Sequence, residues 1–428
     1  MLKHSLFLAF TYFTIILAVS HSNYDLLGLS ISQQRSFDWV NSTHSVCEPY
    51  ESPFFSASKR TVYKYDQVAP PSNLEPFRNG FYKSTCFPIP TDDAEEYCIF
   101  INPTLNQGQG MVIVTPTDLF EDSLDDGLKL SDDPPNPKAV KVVPMPEKGG
   151  MGALATRQLH RGDNVEQTRP VGLFPYGEAI WTTALGRSIR RQAIDHLPLQ
   201  TRAAVASLHG VGETADEFVS SVIEANMFAS MLFGDESMYF GSVTLEPSRL
   251  NHACRPNVVY YVDHETQLLH MKALDSISEG EELTISYRSL EGLSEPRRRD
   301  LHDSYGFNCT CSHCQMSAEL QKLSDQRLSQ ISKLRDRYFS EDPAFTAQDA
   351  EELLQLCETE KIPWCITTAN LIAAEIYNSL GRKQKVKQHA EEARNMGLLL
   401  AGSSWSDLGE AELLMSEPES HSSHFSRR

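Results

Sequence analysis

The sequence predicts an α+β fold made of short sheets, a helical insert and a helical C-terminal segment. Two observations carry this prediction. Residues 21–135 and 239–287 contain short apolar runs separated by proline, glycine and acidic turns, a pattern typical of β-strands. Residues 187–232 and 318–400 instead repeat apolar side chains at helical spacing.

Length and charge limit the functions the chain can have. With 428 residues, the chain has enough material for two or three domains. Its 57 acidic and 38 basic residues give a formal charge of −19, which disfavours non-specific binding to a phosphate backbone. Attraction of a basic protein or peptide remains compatible with this charge.

The first twenty residues resemble a targeting segment. Lys3 and His4 precede an uncharged apolar run from Leu6 to Val19. This run ends in the small-residue triplet Ala18-Val19-Ser20. This pattern predicts a signal peptide over 1–20, because the run is short for a membrane-spanning helix. A buried N-terminal element or a wrongly assigned start codon is the alternative. No other segment is long and apolar enough to span a bilayer.

The region that follows, residues 21–137, is predicted to be β-rich and to end in an acidic, proline-rich linker over 118–137. Two Gly-x-Gly segments lie near this linker. Gly150 and Gly152, in the second, are the better candidates for a backbone that approaches a ligand, because a tight turn over Gln158–Asp163 follows them. A simple turn remains the alternative.

Helical periodicity predicts an insert over 187–232, and strands are predicted at Val258–Val262, Leu268–Ala273 and Leu283–Tyr287. Four antiparallel helices are then predicted at 318–339, 347–360, 364–381 and 384–400. Residues 403–428, rich in Ser, Glu and His, are predicted to be disordered.

A cysteine cluster predicts a metal site. Cys309, Cys311 and Cys314 place three thiols within a short loop, and a tetrahedral zinc needs a fourth ligand from elsewhere. His313 competes for that place, and free thiols or a disulfide are alternatives. Five cysteines lie outside the predicted site, where either disulfides or buried free thiols are compatible with the sequence: Cys47, Cys86, Cys98, Cys357 and Cys365.

Three segments together carry a family resemblance: Asn251-His252-Ala253-Cys254-Arg255-Pro256-Asn257, Glu281-Glu282-Leu283-Thr284-Ile285-Ser286-Tyr287, and Phe307-Asn308-Cys309-Thr310-Cys311-Ser312-His313-Cys314. In this order and spacing they resemble SET-domain protein lysine methyltransferases of the SET-and-MYND type. The resemblance implies a SET domain over 138–290, a zinc-bound post-SET segment over 291–316 and a tetratricopeptide-like tail over 317–402. The MYND zinc cluster of that subfamily is missing from the sequence, so its partner recognition does not transfer.

The resemblance also implies roles for single residues. Tyr287 would be the catalytic residue, and a structural zinc would be held by Cys254, Cys309, Cys311 and Cys314. S-adenosyl-L-methionine would meet Gly150, Gly152, Asn226, Asn251, His252, Tyr287 and Phe307. For Asn226 a helix C-cap is the alternative role, and for Phe307 it is core packing.

Methyl transfer suits a tyrosine, because an uncharged lysine amine attacks a methyl group in line and the protein supplies mainly alignment and electrostatics. The implied function is a protein-lysine N-methyltransferase acting on a lysine-bearing protein or peptide, of which a basic histone-like protein is one candidate. The alternative is a catalytically silent SET scaffold that binds proteins through its zinc segment. A hydrolase with Cys254 as nucleophile is disfavoured, because no oxyanion-hole signature accompanies it.

The compartment stays open at this stage. The leader favours a secretory route, which would expose glycosylation sequons at Asn41 and Asn308. The family resemblance favours the nucleus or the cytoplasm. The substrate, the degree of methylation and the oligomeric state do not follow from the sequence.

Overall fold

A computed structural model of the chain describes residues 74–88, 96–130, 138–176, 179–232 and 238–426. The predicted signal peptide and Cys47 lie outside these residues. The described chain divides into two compact units, treated separately below. The first unit contains residues 74–130, 168–249 and 264–268, and the second contains residues 138–167, 250–263 and 269–426.

The strands in the described residues are β1 Glu75–Pro76, β2 Tyr82–Pro88, β3 Glu96–Asn102, β4 Met111–Thr115, β5 Val140–Met145, β6 Gly150–Ala155, β7 Asn164–Thr168, β8 Gly172–Pro175, β9 Met227–Met231, β10 Tyr239–Val243, β11 Asn251–His252, β12 Val258–Asp263, β13 Leu268–Ala273 and β14 Glu282–Ile285. The helices, apart from one short turn at Leu105–Gly108 and several 3-10 turns, are α1 Thr117–Asp125, α2 Ala184–Asp195, α3 Leu199–Ala206, α4 Ala215–Asn226, α5 Ser294–Tyr305, α6 Ala318–Phe339, α7 Ala347–Thr359, α8 Pro363–Ser379, α9 Lys383–Ala401 and α10 Leu408–Ser416.

The first unit is built on a seven-stranded sheet in the order β1-β2-β3-β4-β8-β10-β9. Strands β3 and β4 are apolar almost throughout and buried on both faces, as in a sheet covered on each side. The N-terminal strands therefore share a sheet with β8, β9 and β10, which lie inside the predicted SET domain. The chain passes from the first unit to the second between residues 130 and 138, near the predicted boundary at 137, but it returns to the first unit at 168.

Helix α1 corrects the prediction of a linker that starts at 118. Its acidic side chains point outward, whereas Phe120 and Leu124, four residues apart, are buried. The Phe120 ring contacts the rings of Phe81 and Phe100 at centroid distances of 5.2 and 4.8 Å. An amphipathic helix therefore occupies the start of the acidic stretch, because charge on one face is compatible with core packing on the other.

The helical insert matches its prediction except at its end. Helices α2, α3 and α4 occupy most of residues 187–232, and α4 begins with a capping box between Thr214 and Glu217. Residues 227–231 are instead strand β9, which pairs antiparallel with β10. Met227 and Phe228 pack equally well in a sheet, so helical spacing alone did not separate the two structures.

The second unit contains two small sheets, in the orders β11-β14-β6-β5 and β12-β13-β7. Strand β11 pairs in parallel with β14, which sets Asn251 opposite Thr284 and His252 opposite Ile285. Glycine at position 280 has a φ of +81° in the turn before β14. This pairing brings the Asn-His segment beside the strand that leads to Tyr287.

Helices α6 to α9 follow the predicted bounds to within two residues, and neighbouring helices pack against one another. The prediction of disorder over 403–428 is wrong for the described residues up to 426. Helix α10 buries Ala411 and Leu414 in a cluster with Trp405. Asn378 also donates hydrogen bonds to the Pro418 carbonyl and the Ser423 hydroxyl. A few apolar and amide contacts thus order a segment of polar composition.

Two disulfides join cysteines for which the sequence left two states open. Cys86 and Cys98 are register partners on β2 and β3, with an S–S distance of 2.03 Å. Cys357 on α7 is bonded to Cys365 on α8. None of the helices in the described part of the chain combines the length and apolar character that crossing a bilayer requires.

Candidate functional site

Four cysteines of the second unit converge on one point. The sulfur atoms of Cys254, Cys309, Cys311 and Cys314 all lie within 4.8 Å of one another. Cys254 Sγ is 3.9 Å from Cys309 Sγ and 3.5 Å from Cys314 Sγ. Tetrahedral Zn–S bonds of about 2.3 Å place sulfur atoms about 3.8 Å apart, so the cluster has the dimensions of a four-cysteine zinc site. His313 is not a member of the cluster.

The charge around the cluster favours anionic sulfur. Arg297 on α5 is buried, and its charge opposes the rise in the pKa of Cys254 that the neighbouring thiols, Cys309 first, produce. Arg298 donates a hydrogen bond to the Cys314 carbonyl. The basic run on α5 therefore includes a counter-charge to the thiols and a support for the cysteine loop, whereas Arg299 pairs with Glu295 at the surface.

His252 connects this cluster to the strand that carries Tyr287. The backbone N–H of Tyr287 donates to His252 Nδ1 at 3.0 Å. His252 Nε2 lies 3.3 Å from Cys254 Sγ. Because Nδ1 accepts a hydrogen bond it carries no proton, so the proton is on Nε2 and points at the sulfur. Burial lowers the pKa of His252 to about 4, which agrees with a neutral ring.

Tyr287 follows strand β14 and its side chain turns inward. Its hydroxyl donates to the Leu250 carbonyl at 2.7 Å. Burial, followed by the charges of Tyr305 and Glu282, raises the pKa of Tyr287 above its ordinary value. The hydroxyl is therefore protonated at physiological pH, and its oxygen retains lone pairs for a second partner.

Aromatic rings surround the Tyr287 side chain. Its ring centroid lies 5.0 Å from Tyr305 and 6.3 Å from Phe307, and the Phe307 ring stands edge-on to it. The Arg288 guanidinium covers the Tyr305 ring at 4.8 Å. Phe307 thus lies beside both Tyr287 and the cysteine cluster, where its face could serve stacking or core packing.

Asn251 lies at the start of β11 and its amide nitrogen has protein partners. It donates to the Met151 carbonyl at 3.2 Å and to Glu282 Oε1 at 3.1 Å. A Cβ at position 152 would come within 2.8 Å of the Asn251 amide nitrogen and 2.2 Å of Met145 Sδ, so a larger residue there would displace the ends of these two side chains. A Cβ at Gly150 would meet open space.

Asn226 belongs to the first unit, at the last residue of α4. Its side-chain amide donates to the carbonyls of His209 and Val222, both at 2.7 Å. These bonds use both amide hydrogens at the end of the helix, whereas the C-cap position itself is occupied by Met227.

The resemblance implies two bound groups, zinc and S-adenosylmethionine. The residues of the site fit these two groups to different degrees. The four thiols fit zinc in donor type and spacing. For S-adenosylmethionine, aromatic faces at Tyr287 and Phe307 suit the adenine and the sulfonium. Both ring nitrogens of His252 are engaged with protein. A contact between His252 and the cofactor would therefore use the main chain.

Sequence reasoning missed three contributors to this site. Tyr305 stands two residues before Phe307, so the aromatic spacing could have signalled it. Glu282, which the sequence analysis placed only in the segment that ends at Tyr287, accepts a hydrogen bond from Asn251. Arg255, directly after Cys254, donates to the carbonyls of Cys254 and Leu290, at 2.7 and 3.0 Å. No local sequence pattern predicts these contacts of Arg255.

Comparison with known proteins finds a family model and several relatives that this chain resembles in sequence. Residues 141–288 match the family model described as SET domain, a stretch that includes Cys254 and Tyr287 and ends before Cys309. Histone-lysine N-methyltransferase set5 of Schizosaccharomyces pombe is 26% identical over 193 residues, which cover 45% of this chain and 56% of that protein. N-lysine methyltransferase SMYD2-B of Xenopus laevis is 30% identical over 164 residues, or 36% and 37% of the two chains.

A shorter match has a higher identity. Histone-lysine N-methyltransferase Smyd1 of Mus musculus is 43% identical over 77 residues, 15% of this chain and 16% of that protein. The chain thus spans little more than half, or less, of these relatives' own length. Among solved structures, the SET domain of LSMT bound to lysine and AdoHcy is similar at 13% identity and a TM-score of 0.27, with 69% of this chain and 83% of that one covered.

Proposed function

Because this chain contains a SET domain over residues 141–288, we propose that it is an S-adenosylmethionine-dependent protein-lysine N-methyltransferase with a structural zinc. The observation that carries the proposal is the junction at His252. One neutral ring contacts both the backbone of Tyr287 and the sulfur of Cys254. The candidate catalytic residue and the candidate metal site are thereby built on the same few residues.

The zinc would be held by Cys254, Cys309, Cys311 and Cys314, with no open position for water. Its role would be structural: Cys309, Cys311 and Cys314 on the loop after α5 would be joined through it to Cys254 of the Asn-His segment, in the cluster that also holds Phe307 beside Tyr287. His252 supports the metal ligands by donating to Cys254, as outer-shell partners of zinc ligands commonly do.

Tyr287 is the residue that would align the reaction. S-adenosylmethionine, when bound, would supply a methyl group carried on a positively charged sulfur. The Tyr287 proton is directed to the Leu250 carbonyl, so its oxygen lone pairs face away from that bond and can accept a hydrogen bond from a lysine amine. A desolvated aromatic setting favours the uncharged, nucleophilic form of that amine.

A basic, lysine-bearing protein is the substrate class we infer. The formal charge of −19 attracts basic partners over long range. Two relatives are named histone-lysine N-methyltransferase, and histones belong to this class of basic, lysine-bearing proteins. The degree of methylation and the individual lysine are left to experiment.

The second candidate is a catalytically silent scaffold that binds proteins through the zinc segment and the helical tail. The engaged amide of Asn251 and the engaged ring of His252 favour it, because both side chains already have protein partners. Binding of zinc without S-adenosylmethionine would select this candidate.

The deciding experiment combines zinc analysis, calorimetric titration of S-adenosylmethionine, and transfer of labelled methyl groups to core histones. We expect about one zinc and one cofactor per chain. Tyr287→Phe should keep both and lose transfer, by about a hundredfold or more if alignment dominates. Tyr377→Phe is the matched control, because it removes a ring hydroxyl that donates to Glu351 in the helical tail, outside the cluster of Tyr287 and the cysteines. A chain that binds neither zinc nor cofactor would refute the proposal.

A further inference from the structure

A buried carboxylate outside the SET domain contacts the segment that carries Cys254. Glu360 caps the C-terminus of α7, and its side chain is only 2% exposed. Burying an ionised carboxylate is costly unless cations and hydrogen-bond donors compensate it. Glu360 therefore needs specific partners.

Three donors supply that compensation. Arg255 Nη2 donates to Glu360 Oε2 at 2.7 Å, and Ser324 Oγ donates to the same oxygen at 2.7 Å. Arg327 Nε donates to Oε1 at 2.6 Å. Burial opposes ionisation of Glu360, yet these partners outweigh it and lower the pKa of the carboxyl. The carboxylate is thus held charged, with two arginines as counter-ions.

Arg255 connects Glu360 to the candidate site. The other arm of its guanidinium, Nη1, donates to the carbonyls of Cys254 and Leu290. Cys254 is a candidate zinc ligand, and Leu290 comes three residues after Tyr287. One guanidinium therefore spans the metal-ligand segment and the segment that leaves the catalytic strand, and Glu360 fixes its orientation.

We propose that Glu360 is a positioning residue for the SET site: through Arg255 it sets Cys254 and the segment after Tyr287, so the helices after the cysteine loop are part of the working site. This inference rests on the proposed zinc and methyltransferase function. It deepens that function, because it assigns a role to a residue outside the matched SET domain.

The test measures zinc release to a chromophoric chelator and S-adenosylmethionine affinity in the zinc-loaded full chain. Glu360→Gln, Arg255→Ala and the double variant are compared with the unmodified chain. We expect Glu360→Gln to release zinc about tenfold faster or more, the usual size of a lost outer-shell contact. Because Glu360 acts through Arg255, the double variant should be no worse than Arg255→Ala alone.

Asp349→Asn is the matched control. It removes the partner of Arg337 from the same helix, α7, and weakens the N-terminal capping box of that helix, but the Asp349 side chain contacts Arg337 and Thr346 and not Arg255. It should lower the melting temperature and leave zinc release unchanged. If Glu360→Gln does not fold, Ser324→Ala removes one donor to the same carboxylate and should raise the release rate by a smaller factor.

The outcomes separate the two proposals. Wild-type zinc release and cofactor affinity in Glu360→Gln, or additive effects in the double variant, would overturn the positioning role and leave the methyltransferase proposal standing. An unmodified chain that binds neither zinc nor cofactor would overturn both. Faster zinc release in Glu360→Gln with normal release in Asp349→Asn supports the inference.

Discussion

The two ring nitrogens of His252 can be tested one at a time. In His252→Asn the side-chain oxygen takes a position near Nδ1, so it can still accept the Tyr287 N–H, but nothing reaches Cys254. In His252→Gln the terminal amide nitrogen takes a position near Nε2, so a donor to Cys254 is kept and the acceptor for Tyr287 is lost.

The size of each effect follows from what each variant removes. A hydrogen bond to a charged group contributes about 1.5–3 kcal/mol, which corresponds to roughly a ten- to hundredfold change in an equilibrium constant. His252→Asn should therefore weaken zinc binding by about 10- to 100-fold, as loss of an outer-shell partner does. His252→Gln should change the zinc affinity by no more than about threefold. It leaves the backbone N–H of Tyr287 without an acceptor, which should destabilise the observed position of Tyr287 by about 1–3 kcal/mol.

Two assays read the two ends of the ring. Competition with a chelator gives the metal affinity, and the absorption of the cobalt-substituted protein reports the electron density on the sulfur ligands. Methyl transfer to core histones reports the Tyr287 end. The expected pattern is crossed: Asn perturbs the metal more than transfer, and Gln perturbs transfer more than the metal.

His389 provides the control. It is a buried histidine of α9 in the same unit, its Nδ1 lies 2.9 Å from Asn370 Oδ1, and it does not belong to the aromatic and cysteine cluster. His389→Asn and His389→Gln should lower stability without a crossed pattern. The reasoning about His252 would be refuted by an Asn variant that binds zinc normally together with a Gln variant that loses it.

Three further predictions concern stability. Replacing both Cys86 and Cys98 by Ala opens a loop with a sequence separation of 12 and should lower the free energy of unfolding by about 3 kcal/mol, measured in urea against the oxidised chain. Phe120→Ala should cost about 3–5 kcal/mol, whereas Asp122→Asn on the outer face of α1 should stay within about 0.5 kcal/mol. Burial, followed by the charge of Arg202, lowers the pKa of His196 from 6.5, so the unfolded chain binds its proton more readily; the free energy of unfolding should fall as the pH drops below about 6.5, and less steeply in His196→Gln.

Local patterns predicted the elements whose signal is local. Helix α6 and strand β13 have the predicted bounds, 318–339 and 268–273, because each has a clear apolar period of its own. The four cysteines were grouped correctly because metal spacing within the loop, together with family resemblance for Cys254, needs no knowledge of packing. These successes do not depend on how distant segments meet.

The errors arise where distant contacts decide the structure. The acidic stretch at 118–125 is helical because Phe120 meets aromatic rings of other elements. The C-terminal segment is ordered because Trp405 and Asn378 provide partners for polar-rich sequence. Composition alone predicts neither structure, because it gives the number of charged residues and not the face of a helix on which they lie.

The candidate site depends on both kinds of information. Motifs place Tyr287, His252 and the cysteines near one another, but the same motifs say nothing about what holds them. Asn251 meets Glu282 across 31 residues, and Arg255 meets Glu360 across 105. In each case a charged carboxylate from another segment fixes a side chain within or next to the Asn-His-x-Cys run. A chain that kept Tyr287, the Asn-His-x-Cys run and the cysteine loop but lost these two carboxylates would still have the residues to which roles are assigned, yet its site would be loosely placed. Activity should therefore follow the carboxylates at 282 and 360 as closely as it follows the motif residues.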